Sequence, residues 1–159
     1  MRLEFVGISK KDYELFHRLA DAYYREGEDK DTSQEEVDGF IRFLFEKVVS
    51  GEIEGCFAKL GEESIGFSLW AVDTADFAFS EMPGFGTILE IGIMGSYRSS
   101  GYGKALVSFV EKRLSEKAEM CYVSAYGPAQ KFWMRCGYKE NGKTASNGLP
   151  IMVKTIGSL

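Results

Sequence analysis

A short turn in the middle of the chain has the residue types and spacing of a phosphate-binding site. It comprises six residues, Arg98-Ser99-Ser100-Gly101-Tyr102-Gly103. An apolar, strand-like run at 88–94 precedes it, and apolar residues at helical spacing follow it. Glycine lets the backbone approach a ligand closely, and the start of a helix offers unpaired N–H groups and a partial positive charge. The order strand, glycine turn, helix therefore favours binding of an anionic phosphate group.

Two common nucleotide motifs do not fit this turn. The third glycine of a dinucleotide fingerprint would fall at Leu106. Gly103-Lys104 is followed by Ala105, where a P-loop has a magnesium-binding Ser or Thr. A glycine-bearing connection between a strand and a helix is a weak signal by itself, so its interpretation depends on a second motif elsewhere in the chain.

Two segments together resemble a known family. The stretch from Ile93 to Leu106 resembles motif A of the GNAT superfamily, the acetyl-CoA-dependent N-acetyltransferases, whose signature is Arg or Gln, two residues, Gly, one residue, Gly or Ala. The stretch from Tyr126 to Tyr138 resembles the family's later motif, a short helix with an Ala and an aromatic residue that ends in Gly-aromatic. The flanking elements follow the family's order. The resemblance implies an α/β fold with a mixed, largely antiparallel sheet flanked by helices and a splayed central strand pair.

The resemblance also implies that acetyl-CoA is bound as a co-substrate. Backbone groups of the central strand would line the pantetheine arm and present an N–H to the thioester carbonyl, which stabilises the oxyanion that forms. Main-chain N–H groups of the turn would hold the pyrophosphate, and Arg98 and Lys104 would add cationic side chains. The candidate cofactor-binding residues are Ile91, Gly92, Ile93, Arg98, Ser99, Ser100, Gly101, Tyr102, Gly103 and Lys104.

In the family, an acceptor amine attacks the thioester carbon directly within a ternary complex. The amine must first lose a proton, and Glu90 in the central strand is the candidate base, acting directly or through water. Strand alternation places Glu90 on the face opposite Ile91, so a structural role for this carboxylate stays open. Alternative bases are Glu26, Glu28 and Asp29, on the acceptor side that the first two helices would frame, or a chain of water molecules.

The departing coenzyme A thiolate usually receives a proton from a tyrosine in the helix of the second motif. This chain has Trp133 at that position, and an indole N–H donates a hydrogen bond without releasing a proton at ordinary pH. Tyr126 is the candidate replacement, with Tyr138 or water as alternatives. Tyr126 and Trp133 are equally compatible with aromatic packing around the cofactor. A covalent acetyl-cysteine route through Cys121 or Cys136 is disfavoured, because neither has a nearby histidine to activate it.

Length and composition favour one cytoplasmic domain over residues 1–159. The chain is 45% hydrophobic, and no apolar run approaches the roughly 18 residues that span a bilayer. No apolar signal core follows Met1. Three separated cysteines among apolar residues predict reduced, buried thiols. We expect no metal site, because His17, the single histidine, has no Cys or second His at ligand spacing. Its position in a helical pattern indicates a residue at the helix surface or boundary.

Charge is distributed unevenly along the chain. Residues 12–63 carry 15 acidic and 6 basic side chains, whereas residues 64–159 carry 8 acidic and 10 basic ones. Solvated helix faces account for such a pattern, but an acidic region also favours a cationic amine, on a small molecule or a peptide, over nucleic acid or an anionic membrane. Two rival functions are a non-catalytic CoA-binding module and transfer of a longer acyl group.

Periodicity and capping signals predict a mixed order of elements. The expected elements are a strand at 3–8, helices at 11–24 and between Ser33 and Gly51, a hairpin at 55–60 and 64–72, a loop at 73–86, a strand at 88–94, a helix at 102–114, a strand at 120–125, a helix at 127–137, a strand from 138, a loop at 141–148 and a strand at 149–156. The loop at 73–86 is rich in apolar residues, which favours core contact or a homodimer interface over a substrate lid.

Overall fold

The structure, a computed structural model, describes residues 2–27 and 29–157, which contain seven strands and four α-helices. In chain order these are β1 (Leu3–Gly7), α1 (Tyr13–Glu26), α2 (Gln34–Ser50), β2 (Glu54–Leu60), β3 (Glu63–Val72), β4 (Gly86–Ile93), α3 (Tyr102–Leu114), β5 (Met120–Ser124), α4 (Gln130–Arg135), β6 (Lys139–Thr144) and β7 (Pro150–Thr155). The strands form one sheet in the order β1-β2-β3-β4-β5-β7-β6.

The sheet is mixed, and its parallel pair lies at the centre. β4 pairs with β5 in parallel, whereas β1 with β2, β5 with β7 and β6 with β7 are antiparallel. In the described residues the parallel register joins Gly86 to Cys121 and Thr87 to Tyr122, both at the start of β4. The fold class expected from the resemblance is confirmed.

The chain divides into two compact units. The first contains the residues up to Leu69 together with Glu90–Leu106, and the second contains Trp70–Leu89 together with the residues from Val107 onward. All candidate cofactor-binding residues and Glu90 belong to the first unit, whereas Tyr126 and Trp133 belong to the second.

In the first unit, the helices follow the signals in the sequence. The buried residues of α1, Phe16, Leu19, Ala20 and Tyr24, recur at helical spacing and form its core-facing side. The Ser33 hydroxyl accepts a hydrogen bond from the Glu36 N–H at 3.2 Å, and Gly51 ends α2 in the left-handed region at φ 86°. The predicted cap and stop of α2 are confirmed.

In the second unit, the apolar loop 73–85 packs onto the core. Phe77 is buried, and Met82 and Phe85 pack against a cluster of Tyr122, Ala145 and Ile151. The fully buried Asp73 anchors the loop: its Oδ2 accepts hydrogen bonds from the N–H groups of Glu81 and Met82 and from the Tyr122 hydroxyl, at 2.7–2.8 Å. These contacts agree with the core-contact interpretation and disfavour the lid.

The prediction of a loop at 141–148 is wrong for residues 141–144, which belong to β6. β6 continues to Thr144, with an irregularity in its pairing to β7 between Glu140 and Thr144, and Gly142 has φ +82°. The turn that follows is closed by a hydrogen bond from the Ala145 N–H to the Leu149 carbonyl, at 2.8 Å. β6 lies at the edge of the sheet and is mostly exposed, so its sequence lacks the apolar alternation that marks a strand.

Other boundaries differ by one to three residues from expectation; α1, for example, ends at Glu26. Among the described residues, no helix combines the length and hydropathy needed to cross a membrane.

Candidate active site

The turn before α3 contains two residues in the left-handed region of φ. Ser99 has φ 65° and Gly101 has φ 83°, so two left-handed residues alternate with right-handed or extended ones. Residues with positive φ in a turn can direct neighbouring N–H groups toward the same side, where such groups can bind an anion. α3 begins directly afterward at Tyr102, and the N–H groups of its first turn have no partners within the helix. The turn can therefore surround a phosphate with main-chain donors.

A left-handed backbone is unusual for Ser99, because a side chain disfavours that region. The same residues are accessible: Ser99, Ser100, Gly101 and Lys104 are exposed. Tyr102 and Gly103 are half-buried. The expected placement of these residues in one turn at a helix start is therefore observed.

The Arg98 side chain, expected to contact the pyrophosphate, forms contacts within the protein. Its Nε donates a hydrogen bond to the Ile93 carbonyl at 2.9 Å, and its Nη2 forms an ion pair with Glu26 at 2.5 Å. The guanidinium thus connects the end of β4 to the end of α1. Both partners are 49% exposed, so solvent screens the pair and its contribution to stability is small. Phosphate binding would rest mainly on the main chain of the turn and on Lys104.

The end of β4 is tightly packed on the side of Gly92. A Cβ at Gly92 would lie 2.7 Å from the Tyr23 ring, and a Cβ at Gly66 in β3 would lie 2.3 Å from the Gly92 carbonyl oxygen. The Met94 N–H donates to the Ile65 carbonyl at 2.8 Å. Glycine at both positions lets the strands and α1 approach closely, which fixes the backbone expected to hold the pantetheine arm and the thioester.

Glu90 interacts electrostatically with Tyr24 of α1. Tyr24 is 4% exposed, and its hydroxyl is buried. Burial raises the pKa of Tyr24 well above its usual value, and the Glu90 carboxylate raises it further. The Ser68 hydroxyl holds the Glu90 main chain by donating to its carbonyl at 2.8 Å. Glu90 is thus a half-buried carboxylate beside the helices expected to frame the acceptor.

The other candidate bases are less suitably placed. Glu26 is engaged with Arg98, and Asp29 accepts a hydrogen bond from the Thr32 hydroxyl at 3.4 Å. Glu28 lies outside the described residues. Glu90 therefore remains the leading candidate for the base.

The aromatic candidates for the acid divide by exposure. Trp133 is 6% exposed, and its ring packs against Phe132 and Tyr138 at centroid distances of 5.2 and 5.1 Å. Tyr138 is buried and donates to Glu111 at 2.8 Å; burial is the main cause that raises its pKa, which makes it a poor proton donor. Tyr126 is 36% exposed and starts the turn before α4. Among these three aromatic candidates, Tyr126 is the most exposed.

The cysteines are unsuited to covalent catalysis. All three, at positions 56, 121 and 136, are free and buried, as the sequence predicts. Burial raises the pKa of Cys121 to about 12, so its nucleophilic thiolate is scarce at neutral pH.

One cluster was missed by the sequence-based expectation of no metal site. The His17 Nε2 lies 2.7 Å from the Asp38 Oδ1, and Asp21, four residues after His17 on α1, completes a group of three whose ligand atoms all lie within 4.8 Å. The spacing of His17 and Asp21 is a readable signal, but Asp38 comes from α2 and is brought in only by the fold.

The chain therefore combines a mixed sheet with a short parallel central pair and a glycine-bearing turn that leads from β4 into the start of α3. Residues 13–138 match the family model described as the acetyltransferase (GNAT) family, and the chain belongs to that family. It is an acyltransferase of the GNAT type.

Solved structures of the same fold cover nearly the whole chain. The PaiA N-acetyltransferase of Thermoplasma acidophilum, in complex with coenzyme A, is 18% identical, with a TM-score of 0.74 over 98% of this chain and 99% of its own. A GCN5-related N-acetyltransferase from Ralstonia eutropha is 21% identical, with a TM-score of 0.72 over 91% and 97%. AAC(6')-Ib in complex with paromomycin and acetyl-CoA is 16% identical, with a TM-score of 0.71 over 98% and 94%. The comparison with curated protein sequences gives no match.

Proposed function

We propose that this chain is an N-acetyltransferase, a single domain over residues 1–159 that moves an acetyl group from acetyl-CoA to a primary amine. The observation that carries the donor half is the turn 98–104, in which two left-handed residues precede the start of α3. Solved relatives of the same fold are complexes with coenzyme A or acetyl-CoA, which supports the choice of donor.

The chemistry would proceed by direct attack of the amine on the thioester in a ternary complex. A backbone N–H of the segment Ile91–Ile93 would stabilise the developing oxyanion, and Glu90 would accept the amine proton. Tyr126 would protonate or hydrogen-bond the departing thiolate, while Trp133 would contribute packing and its indole N–H. The buried, high-pKa Cys121 leaves no nucleophile for a covalent intermediate at that position.

The acceptor would be a cationic amine on a small molecule or a peptide. The region 12–63, with 15 acidic against 6 basic side chains, includes both helices expected to frame the acceptor. An acidic rim concentrates cationic molecules by electrostatic attraction. AAC(6')-Ib, one of the solved relatives, is complexed with the aminoglycoside paromomycin, which supports a polyamine-like acceptor class. A cytoplasmic location and a homodimer stay predictions.

The test is calorimetric titration with acetyl-CoA, followed by an acceptor screen that detects released thiol. NAD and ATP are the binding controls, and polyamines, aminoglycosides and lysine peptides are the acceptors. Saturable binding of acetyl-CoA alone, with thiol release for at least one amine, is the expected result. Binding without turnover across the panel would favour a CoA-binding sensor, and turnover only with succinyl- or longer acyl-CoA would favour a different donor. Absence of acetyl-CoA binding in folded protein would overturn the proposal.

A further inference from the structure

Three side chains with metal-binding chemistry meet where α1 packs against α2. His17 and Asp21 are four residues apart, so they project from the same face of α1. Asp38 faces them from α2: its Oδ1 lies 2.7 Å from the His17 Nε2. One ligand atom from each of the three side chains lies within 4.8 Å of the other two. Among the described residues, these three form the group of His, Cys, Asp and Glu side chains whose ligand atoms come together closely enough to hold a metal ion.

The arrangement is close to the geometry of a tetrahedral ion site. Ligand atoms about 2.0–2.1 Å from a tetrahedral zinc ion lie about 3.3 Å from one another. The 2.7 Å contact between His17 and Asp38 would open slightly, and the wider separations would close, which side-chain rotation on two fixed helices can accomplish. We propose that His17, Asp21 and Asp38 bind a divalent transition-metal ion of the zinc class, with water as the fourth ligand.

A neighbouring cavity supplies access for the ion and room for the water. The cavity has a volume of about 400 Å³, and His17, Asp38, Gly39 and Arg42 are among the residues that line it. A Cβ at Gly39 would meet no atom within 4 Å, so the cavity is open at this position. His17 is 32% exposed and Asp38 is 46% exposed, so an ion can reach both without movement of either helix. The cavity and the spacing of the three ligand atoms are two separate observations.

A fourth side chain already orients the two carboxylates. The Gln34 Nε2 donates to the Asp21 Oδ1 and to the Asp38 Oδ1, each at 2.8 Å. Hydrogen bonds from such outer residues hold metal ligands in place and typically change affinity by about 10- to 100-fold. Gln34 therefore reduces the conformational entropy that the ion would otherwise have to overcome.

Charge also favours a dication at this position. Asp21 and Asp38 contribute two negative charges, and the Arg25 Nε lies 3.8 Å from the Asp21 Oδ1. Arg42 also lines the cavity, but its guanidinium stacks over the Tyr13 ring at 4.6 Å. A divalent ion neutralises both carboxylates. The imidazole nitrogen distinguishes the site from magnesium and calcium sites, whose ligands are oxygen atoms, and directs it toward zinc, cobalt and nickel.

Bound metal would join the two helices, because it binds the folded chain and has no preformed site in the unfolded one. Stability then rises with metal concentration according to the ratio of free metal to the dissociation constant. The effect can be measured without any acyl donor, so failure of this proposal and failure of the proposed acetyltransferase activity are distinguishable.

The experiment is titration of chelator-treated protein with zinc chloride, by calorimetry and by thermal unfolding, followed by cobalt chloride with absorption spectroscopy. We expect one ion per chain, a melting temperature that rises with zinc, and a cobalt spectrum without a thiolate charge-transfer band. His17→Gln and Asp38→Asn should each weaken zinc binding at least about tenfold. Glu35→Gln, an exposed carboxylate of α2 outside the cluster, should leave it unchanged.

Asp21→Asn covers the case in which His17→Gln fails to fold, because the contacts of Asp21 are with Gln34 and Arg25, which lie outside the three-residue cluster. It too should weaken zinc binding at least about tenfold. The proposal is overturned if the wild type shows no saturable zinc binding, if the cluster variants bind like the wild type, or if cobalt reports cysteine ligands.

Discussion

At the level of single residues, Gly103 offers a direct test of the phosphate-binding turn. It lies in α3, outside the left-handed region, so a side chain there avoids the strain expected at Gly101. A carboxylate near the start of a helix also suits the helix dipole, so Gly103→Glu should fold. The new carboxylate would repel the cofactor's pyrophosphate, since two like charges 4 Å apart near a protein surface repel by about 4 kcal/mol. We therefore expect calorimetry to show acetyl-CoA binding weakened at least about 100-fold. The exposed Ser108→Glu in the same helix is the control; equal effects would remove the turn from the site.

Glu90→Gln tests the proposed base. Removing a general base lowers turnover by about 10²–10⁴, so we expect a fall in kcat of that order with little change in KM for acetyl-CoA. The acidic limb of the pH–rate profile should disappear with the titrating group. The matched control is Glu116→Gln, an exposed carboxylate, which should behave as the wild type. An unchanged profile for Glu90→Gln would make this carboxylate structural.

Tyr126→Phe tests the proposed acid in the same assay. We expect a lower kcat and loss of the alkaline limb, because the phenol proton is absent. Tyr138→Phe is the contrasting variant. It loses the half-buried hydrogen bond to Glu111, which should lower stability by about 1.5–3 kcal/mol without changing the chemistry. If Tyr126→Phe retains the wild-type profile, thiolate departure requires no acid from this residue.

At the level of elements, the packing of Gly92 explains why β4 can present its backbone to a cofactor. A methyl group at Gly92 would lie 2.7 Å from the Tyr23 ring and would force α1 away from β4. Overpacking of this kind costs about 1–3 kcal/mol, so Gly92→Ala should lower the denaturation midpoint and weaken acetyl-CoA binding. Gly95→Ala, two residues beyond β4, meets no atom within 4 Å and should change neither.

Elements with local signals could be predicted from the sequence, and contacts between distant segments could not. Ser33 and Gly51 mark the ends of α2 because a cap and a left-handed stop are local chemistry. β6 was missed at 141–144 because an exposed edge strand has no apolar face to read. Arg98 and Glu26 are separated by 72 residues, and His17 and Asp38 by 21, so neither pair is visible in the spacing of a motif. The turn 98–104 was recognisable, whereas the partner of its arginine was not.

At the scale of the whole molecule, stability should depend on pH through Asp73. Burial raises the pKa of the Asp73 carboxyl. Hydrogen bonds from Ser80, from the Glu81 and Met82 N–H groups and from the Tyr122 hydroxyl lower this pKa by a larger amount, so the net pKa lies below its usual range. A lowered pKa in the folded state means that the folded chain binds fewer protons than the unfolded chain. The resulting stability is complete above the unfolded pKa of about 3.9 and is lost as pH falls through the folded pKa.

Asp73→Asn removes this pH dependence together with the charge that attracts the donors. Hydrogen bonds to a charged group contribute about 1.5–3 kcal/mol, so at pH 7 the variant should unfold more easily by about that amount. The difference from the wild type should shrink as pH falls below about 4, because the wild-type carboxyl becomes neutral too. Urea unfolding at several pH values measures both effects, with the exposed Asp76→Asn of the same loop as control. If the difference in unfolding free energy between the variant and the wild type does not change with pH, the charge of Asp73 does not stabilise the fold. The loop 73–85 would then be held by its apolar contacts.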